Sequence, residues 1–319
     1  MASRSPRKCE QLMNPKVLFL AGPTGSGKSE LAIQLAKSLN GEIISCDAMQ
    51  VYRGMNIGTA KLSRLEQRKI KHYLNDVVNP RQQFSVKQYR DLALEVIQKI
   101  HRKKKIPIVA GGSGLYMQSL IDGLAPQSGK TVRIRRELER AVRTDGLEFY
   151  YEKLKQIDPK RADEILPGDQ RRILRALEIY EAFGVKPSDW RATRVSLNEI
   201  GYSWKLFGIR RDRSELYNRI NERVRRMIKR GFIREVKRLR KAGLSRTARQ
   251  AIGYYEILQF LKNQISLEDA IQITQKRTRH LAKKQLIWFR KEKRMEWIDI
   301  KGENFTRAKE KMIQRWQRK

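Results

Sequence analysis

Cysteine is nearly absent from this chain, with Cys9 and Cys46 the two in 319 residues. Two thiols cannot build a disulfide framework, and the scattered His72, His101 and His280 complete no zinc-ligand spacing with them. No stretch approaches the roughly 18 uncharged apolar residues of a membrane helix, which excludes a transmembrane protein. Acidic residues are scarce beside basic ones, 34 against 70, leaving a net charge of +36. Such a field attracts polyanions and repels basic partners. The partner classes it leaves are nucleic acid, diphosphate groups or an acidic membrane face, with a general basic drift of the sequence as the alternative. Residues 1–14 carry Arg4, Arg7 and Lys8 but no apolar signal core before Pro15. They read as a disordered basic tail on a cytoplasmic protein.

What is present suits a globular protein of two modest units: 40% apolar and 33% charged residues over 319 positions. Val17 to Ala21 is a short apolar run, followed by a Gly-rich turn and then Leu31, Ala32, Leu35, Ala36 and Leu39 at helical spacing. Ile43 to Cys46 and Ile106 to Ala110 are two further apolar runs, the latter preceded by a helical pattern over Val86 to Ile100. Strands alternating with helices imply a parallel sheet. From Gly123 to Ser203 strand signals vanish and helical patterns replace them, at Arg133 to Arg143, Phe149 to Ile157 and Gln170 to Phe183. Lys205 to Ile209 and Trp297 to Ile300 read as strands. Glu215 to Arg230, Ile233 to Lys241 and Leu267 to Arg290 read as helices, the last as one long basic helix or a pair. The expected fold is α/β, a P-loop NTPase-like parallel sheet flanked by helices. Its core spans 15–122 and 204–319, with a mainly helical insertion domain over 123–203.

Gly22-Pro23-Thr24-Gly25-Ser26-Gly27-Lys28-Ser29 is a complete P-loop pattern between a strand and a helix. Its glycines let backbone N–H groups turn onto phosphate oxygens, Lys28 adds a point charge, and Ser29 can ligate a magnesium ion at the helix N-terminus. A nucleoside triphosphatase usually has a neighbouring strand ending in an aspartate that holds magnesium. Here Ile106 to Ala110 runs instead into Gly111-Gly112-Ser113-Gly114, which argues against ATP hydrolysis. Asp47, at the end of the second strand, is the carboxylate that strand order brings beside the loop, as base or metal partner. By themselves, Asp47 and Ser113 fit turn or cap positions equally well.

Together with these residues, several stretches resemble the tRNA dimethylallyltransferase family. They are GPTGSGKS at Gly22 to Ser29, ISCDAMQVYRGMNIGTAK at Ile44 to Lys61, FSVKQY at Phe84 to Tyr89 and AGGSGLY at Ala110 to Tyr116. DQRRILRALEIY at Asp169 to Tyr180, QAIGYYE at Gln250 to Glu256 and TRHLAKKQLIWFR at Thr278 to Arg290 continue the series. The resemblance, of bacterial or organellar type because no zinc finger follows residue 300, implies transfer of the dimethylallyl group of dimethylallyl diphosphate to N6 of adenosine 37, beside the tRNA anticodon. Asp47 is then the general base, with Arg223 and the P-loop holding the leaving diphosphate. Without the resemblance, Arg223 reads as an exposed arginine on an amphipathic helix striped by Ile220, Val224, Met227 and Ile228. Ser113 replaces the family's usual threonine, Ala48 its serine and Asn56 its aspartate. A P-loop small-molecule kinase, an RNA-binding protein without activity and an adenylate isopentenyltransferase acting on free nucleotide are the alternatives.

The resemblance also implies RNA contacts from Asp47, Ala48, Met49, Gln50 and Ser113, and from Arg133, Gln170, Arg171, Arg172, Ile173 and Leu174 in the insertion. Arg210 to Lys241 holds 14 Lys and Arg against 4 Asp and Glu, enough to neutralise several backbone phosphates. Sequence-specific RNA readers take unpaired bases, and extruding a base is least costly in a loop, which the anticodon provides. Trp288 and Phe289 fit core packing better than base stacking. A magnesium-dependent monomer is expected.

Overall fold

The computed structural model describes residues 15–125, 130–302 and 304–318. The expected basic tail over 1–14 lies outside the described residues. The chain divides into one unit made of residues up to Leu120 and from Gly201 onward, and a second made of Ile121–Ile200. The first begins with β1 (Lys16–Ala21), α1 (Lys28–Ser38), β2 (Gly41–Cys46), α2 (Arg64–Lys69), β3 (His72–Tyr73), α3 (Val86–Arg102), β4 (Ile106–Gly111) and α4 (Gly114–Ile121). The second holds α5 (Lys130–Asp145), α6 (Leu147–Ile157), α7 (Pro159–Asp163), α8 (Gln170–Phe183) and α9 (Pro187–Ala192). The first then resumes with β5 (Ser203–Arg210), α10 (Arg213–Lys229), α11 (Phe232–Ala242), α12 (Arg246–Arg249) and α13 (Tyr254–Phe260). It closes with α14 (Leu267–Arg290), β6 (Met295–Asp299) and α15 (Thr306–Gln317).

All strand pairs are parallel, in the order β3-β2-β4-β1-β5-β6. β1 lies between β4 and β5, covered on both faces, which is why Val17 to Ala21 is an uninterrupted apolar run with no exposed surface. α1 packs Leu31, Ala32, Leu35 and Ala36 against the sheet. α3 starts at a capping box, in which the Gln88 amide N–H donates to Ser85 Oγ and the Ser85 N–H donates to Gln88 Oε1. It buries Tyr89, Ala93, Ile97 and Ile100 along one stripe.

Because the strands are parallel, their C-terminal ends share one edge. Ala21 is level with Gly111 and Gly208, and Cys46 with Gly111. The residues that follow, Gly22, Asp47 and Gly112, therefore open on one crevice. The last strand lies earlier than Trp297 to Ile300 because pairing with β5 sets its register from Leu206↔Met295 to Arg210↔Asp299. β3 and α15 have no counterpart among the sequence expectations. In the second unit, Leu154, Ala162, Ile165, Ile173, Leu174 and Leu177 form a core of their own.

At the opposite edge of the sheet, buried Glu42 receives the Tyr73 hydroxyl at 2.7 Å, Lys105 at 2.9 Å and Lys103 at 3.1 Å. Burial alone would raise its pKa, but these donors together hold it at about 2. A carboxyl depressed this far stabilises the fold above its unfolded value near 4.5 and loses that contribution as pH falls toward 2. Glu42→Gln should therefore lower unfolding free energy by roughly 2 kcal/mol at pH 7. In urea melts, the gap between wild type and variant should close between pH 4.5 and 2.

Candidate active site

The P-loop is held by side chains. Arg211 Nε donates to the Ser26 carbonyl at 2.8 Å and Arg219 Nε to the Gly25 carbonyl at 3.1 Å, so two of its carbonyls are engaged by guanidinium groups. Gly27 has φ +92° and a Cβ there would lie 2.6 Å from Phe305 Cζ, so glycine is required on both counts. Lys28 Nζ donates to the Pro23 carbonyl at 2.6 Å, arching over the loop. Ser29 is exposed at the start of α1 and lines the cavity above it.

Asp47 follows β2. Its Oδ1 accepts the backbone N–H of Met49 at 2.8 Å and of Gln50 at 3.3 Å, while no protein donor reaches Oδ2 among the described residues. One oxygen is thus fixed in an Asx turn and the other faces the site. Cys46, just before it, is buried, and burial pushes its thiol up to about 12, so it packs and does not react. Ser113 Oγ accepts the Ala48 N–H at 3.0 Å, and the Ser113 N–H donates to the Cys46 carbonyl at 3.2 Å. Ser113 thereby ties the turn after β4 to the Asp47 turn, and its hydroxyl proton remains available to a ligand.

Arg223 is half-buried on α10, not on the helix's solvent face, and its Nη1 donates to Thr24 Oγ1 at 3.1 Å. Burial pushes Lys28 down to about 7, opposed by Asp47 and reinforced by Arg223. Burial lowers Arg223 too, again opposed by Asp47. The two buried cations share Asp47 as their attracting carboxylate, and an anion between them would offset the burial cost of both.

Two cavities meet at these residues. One, of about 610 Å³, lies over the P-loop and includes Lys28, Ser29, Arg219 and Arg226. Glu30 and Glu66 line it as well, so Asp47 is not the one carboxylate near the loop. The other, of about 540 Å³, is mainly apolar, lined by Ala48, Met49, Ile220, Val224, Phe232 and Trp288 among others. Thr24, Asp47, Gly112, Arg223 and Gln285 line both. Trp288 is 41% exposed and faces this chamber, whereas its neighbour Phe289 is 2% exposed. Core packing therefore applies to Phe289 alone.

Sequence reasoning missed two anchors of this site. Glu235 on α11 accepts the backbone N–H groups of Asn56, Ile57 and Gly58 and the Tyr254 hydroxyl, the last at 2.6 Å, which fixes the loop carrying Thr59. Gln285 on α14 bridges the P-loop and the end of β4. Glu235 lies outside every stretch that carries the resemblance, and Gln285 lies inside one, Thr278 to Arg290, without its role being marked, because their partners are mostly backbone atoms far away in sequence.

A model of the IPP transferase family matches residues 50–292. A tRNA dimethylallyltransferase of Carboxydothermus hydrogenoformans is 43% identical over 304 residues, 94% of this chain and 97% of that one. The chain belongs to the IPP transferase family. Among solved structures, the full-length tRNA isopentenylpyrophosphate transferase of Bacillus halodurans is similar with a TM-score of 0.69 and 36% identity, covering 95% of this chain and 96% of that one. A eukaryotic dimethylallyltransferase captured acting on tRNA is similar with a TM-score of 0.80 and 30% identity, over 94% of this chain and 78% of that one.

Within this IPP transferase, the expected RNA-contacting residues are not equally placed to touch a ligand. Ile173 and Leu174 have no exposed surface and pack in the core of the second unit, so helical periodicity overrides any contact role for their side chains. Gln170, Arg171 and Arg172 open α8, whose N-cap Asp169 accepts the Arg172 N–H. Arg133, with its side chain 84% exposed, pairs with Glu137 at 3.5 Å. Gln50 is spent internally: its Oε1 accepts Ser45 Oγ–H and its Nε2 donates to the Thr59 carbonyl. Lys28→Met should weaken inorganic pyrophosphate binding by about 10- to 100-fold, the value of a charge-assisted contact. Arg133→Ala should leave it within about twofold, because that side chain is exposed and its recorded ion pair is with Glu137 on its own helix; calorimetry on both variants decides.

Proposed function

We propose that this IPP transferase moves the dimethylallyl group from dimethylallyl diphosphate to N6 of adenosine 37 beside the tRNA anticodon, releasing diphosphate. The observation that carries the reading is the pair of cavities, one cationic over a P-loop and one apolar, that meet at Asp47, Thr24 and Arg223. A donor with a charged head and a hydrocarbon tail fits that division. A kinase site would need polar contacts on both sides.

The exocyclic amine of adenine is a poor nucleophile, so a base at its proton lowers the barrier. Asp47 Oδ2 takes that proton as the N6 electron pair forms a bond to C1 of the donor. The C1–O bond breaks and its electron pair leaves on diphosphate. Lys28, Arg223 and the P-loop N–H groups bind that growing charge more tightly than the ground state. Ser113 holds the Asp47 turn through the Ala48 N–H.

Magnesium belongs to the same reading. Ser29 offers a hydroxyl at the cavity and hard oxygen donors suit this ion, with phosphate oxygens and water completing its ligands. Bound there, it would neutralise charge on the leaving diphosphate. For RNA, exposed Arg225, Arg226 and Lys229 on α10, Arg230 just after it, and Arg234 and Lys237 on α11 offer cations in the first unit, and exposed Gln170, Arg171 and Arg172 are the candidates in the second. The enzyme acts as a cytoplasmic monomer. No helix among the described residues is long and apolar enough to cross a membrane.

Labelled dimethylallyl diphosphate, supplied with either total tRNA or free AMP, tests the reading. Label should enter tRNA alone, without ATP, and at least ~100-fold more slowly with Asp47→Ala. Label in AMP overturns the acceptor, and an unimpaired variant overturns the base. Affinity for unmodified tRNA should fall at least about 100-fold between roughly 50 and 200 mM salt in filter binding.

A further inference from the structure

The P-loop and the end of β4 are joined by one side chain. Gln285 Oε1 accepts the Thr24 backbone N–H at 2.8 Å, and Gln285 Nε2 donates to the Gly112 carbonyl at 2.9 Å. A Cβ on Gly112 would lie 2.4 Å from Gln285 Nε2, so the glycine is what admits the amide. Thr24 Oγ1 accepts from Arg223, which ties the same residue to α10. Gln285 also lines both cavities, at the boundary where the cationic one gives way to the apolar one.

We infer that Gln285 is a specificity-determining residue that ends the phosphate cradle at Thr24, so that the site accepts a diphosphate carrying a hydrocarbon and rejects a triphosphate. The inference rests on the prenyl diphosphate reading and deepens it. A P-loop binds phosphate chains through successive backbone N–H groups. Each amide left free extends the chain length that can be satisfied. Here the Thr24 N–H is withdrawn from the ligand and a neutral amide fills the gap beside it. A third phosphate reaching this boundary would lose its water and find the Thr24 N–H already engaged by Gln285, a cost that a hydrocarbon does not incur. The residues beyond are apolar, among them Ile220, Val224 and Met227. On this side of the P-loop, the apolar chamber begins where Gln285 sits.

The test uses the whole protein with magnesium, and inorganic pyrophosphate and tripolyphosphate as probes in calorimetry. Wild type should bind pyrophosphate more tightly than tripolyphosphate. Gln285→Ala frees the Thr24 N–H and opens space, so affinity for tripolyphosphate relative to pyrophosphate should rise by at least ~10-fold, the value of one buried hydrogen bond. Gln285→Met keeps most of the volume without the bridge and should shift the ratio in the same direction by less. It also carries the test if the alanine variant melts at a markedly lower temperature. An unchanged ratio in the folded variants overturns the inference while leaving the donor reading intact. Failure of wild type to bind pyrophosphate overturns the donor reading, and this inference with it.

Discussion

Lys28 and Arg223 both face Asp47 in a space where burial disfavours the two cations. Desolvation outweighs attraction for both cations, since both are pushed below their ordinary values even though Asp47 pulls them up. A site in that state is incomplete until an anion enters. A diphosphate supplies the missing charge, and it supplies more as its ester bond breaks. The same desolvation that destabilises the empty site thus strengthens each contact to the departing group. Asp47 can serve as a base in this company because one of its oxygens is held by backbone N–H groups, while the other keeps its lone pairs for a ligand.

Holding three charges together requires that nothing around them relax, and the parallel sheet supplies the frame. β1, β2 and β4 deliver the P-loop, Asp47 and the Gly112–Ser113 turn to one edge at a common level. The two long basic helices then close the site. α10 carries Arg219 to a P-loop carbonyl and Arg223 to Thr24, and α14 carries Gln285 across to β4. α11 contributes Glu235, which gathers three successive N–H groups of the loop after β2. Many of the basic residues that give the chain its charge are on the outer faces of α10 and α11, whose inner faces build the site. One pair of helices serves both the RNA field and the catalytic pocket.

Much of this frame was legible in the sequence because it is written in period and in unbroken apolar runs. The runs at Val17, Ile43, Ile106 and Lys205 mark the central strands, and the stripe over Gln170 to Phe183 gives α8 its bounds. β3 was not legible because two residues, His72 and Tyr73, carry no alternation. α15 was hidden for a different reason: Ala308, Met312 and Trp316 recur every fourth residue, but charged neighbours dilute the stripe. In the site, the P-loop and Asp47 stood out because their chemistry needs fixed residue types at fixed spacing. Glu235 did not, and Gln285 stood inside the Thr278 to Arg290 stretch without a legible role, since bonding to distant backbone imposes no local spacing. Trp288 misled because a helix facing a cavity has the same periodicity as one facing a core.

The sequence's clearest departure from a nucleotide hydrolase, a β4 that ends in Gly111-Gly112 where an aspartate is usual, follows from the electrostatics of Asp47. A second carboxylate at Gly112 would open on the same crevice as Asp47. Like charges sharing one crevice oppose each other's ionisation, which favours a protonated form of one of the pair. A protonated Asp47 could not accept the proton of an amine, and two ionised carboxylates would cancel the positive excess that draws in a diphosphate. A neutral amide avoids both outcomes. It fills the space beside Gly112, satisfies a donor and an acceptor that burial would otherwise penalise, and leaves the charge balance to Lys28, Arg223 and Asp47. Replacing hydrolytic machinery with a transfer site therefore required removing a charge at the end of β4 as much as placing one at the end of β2.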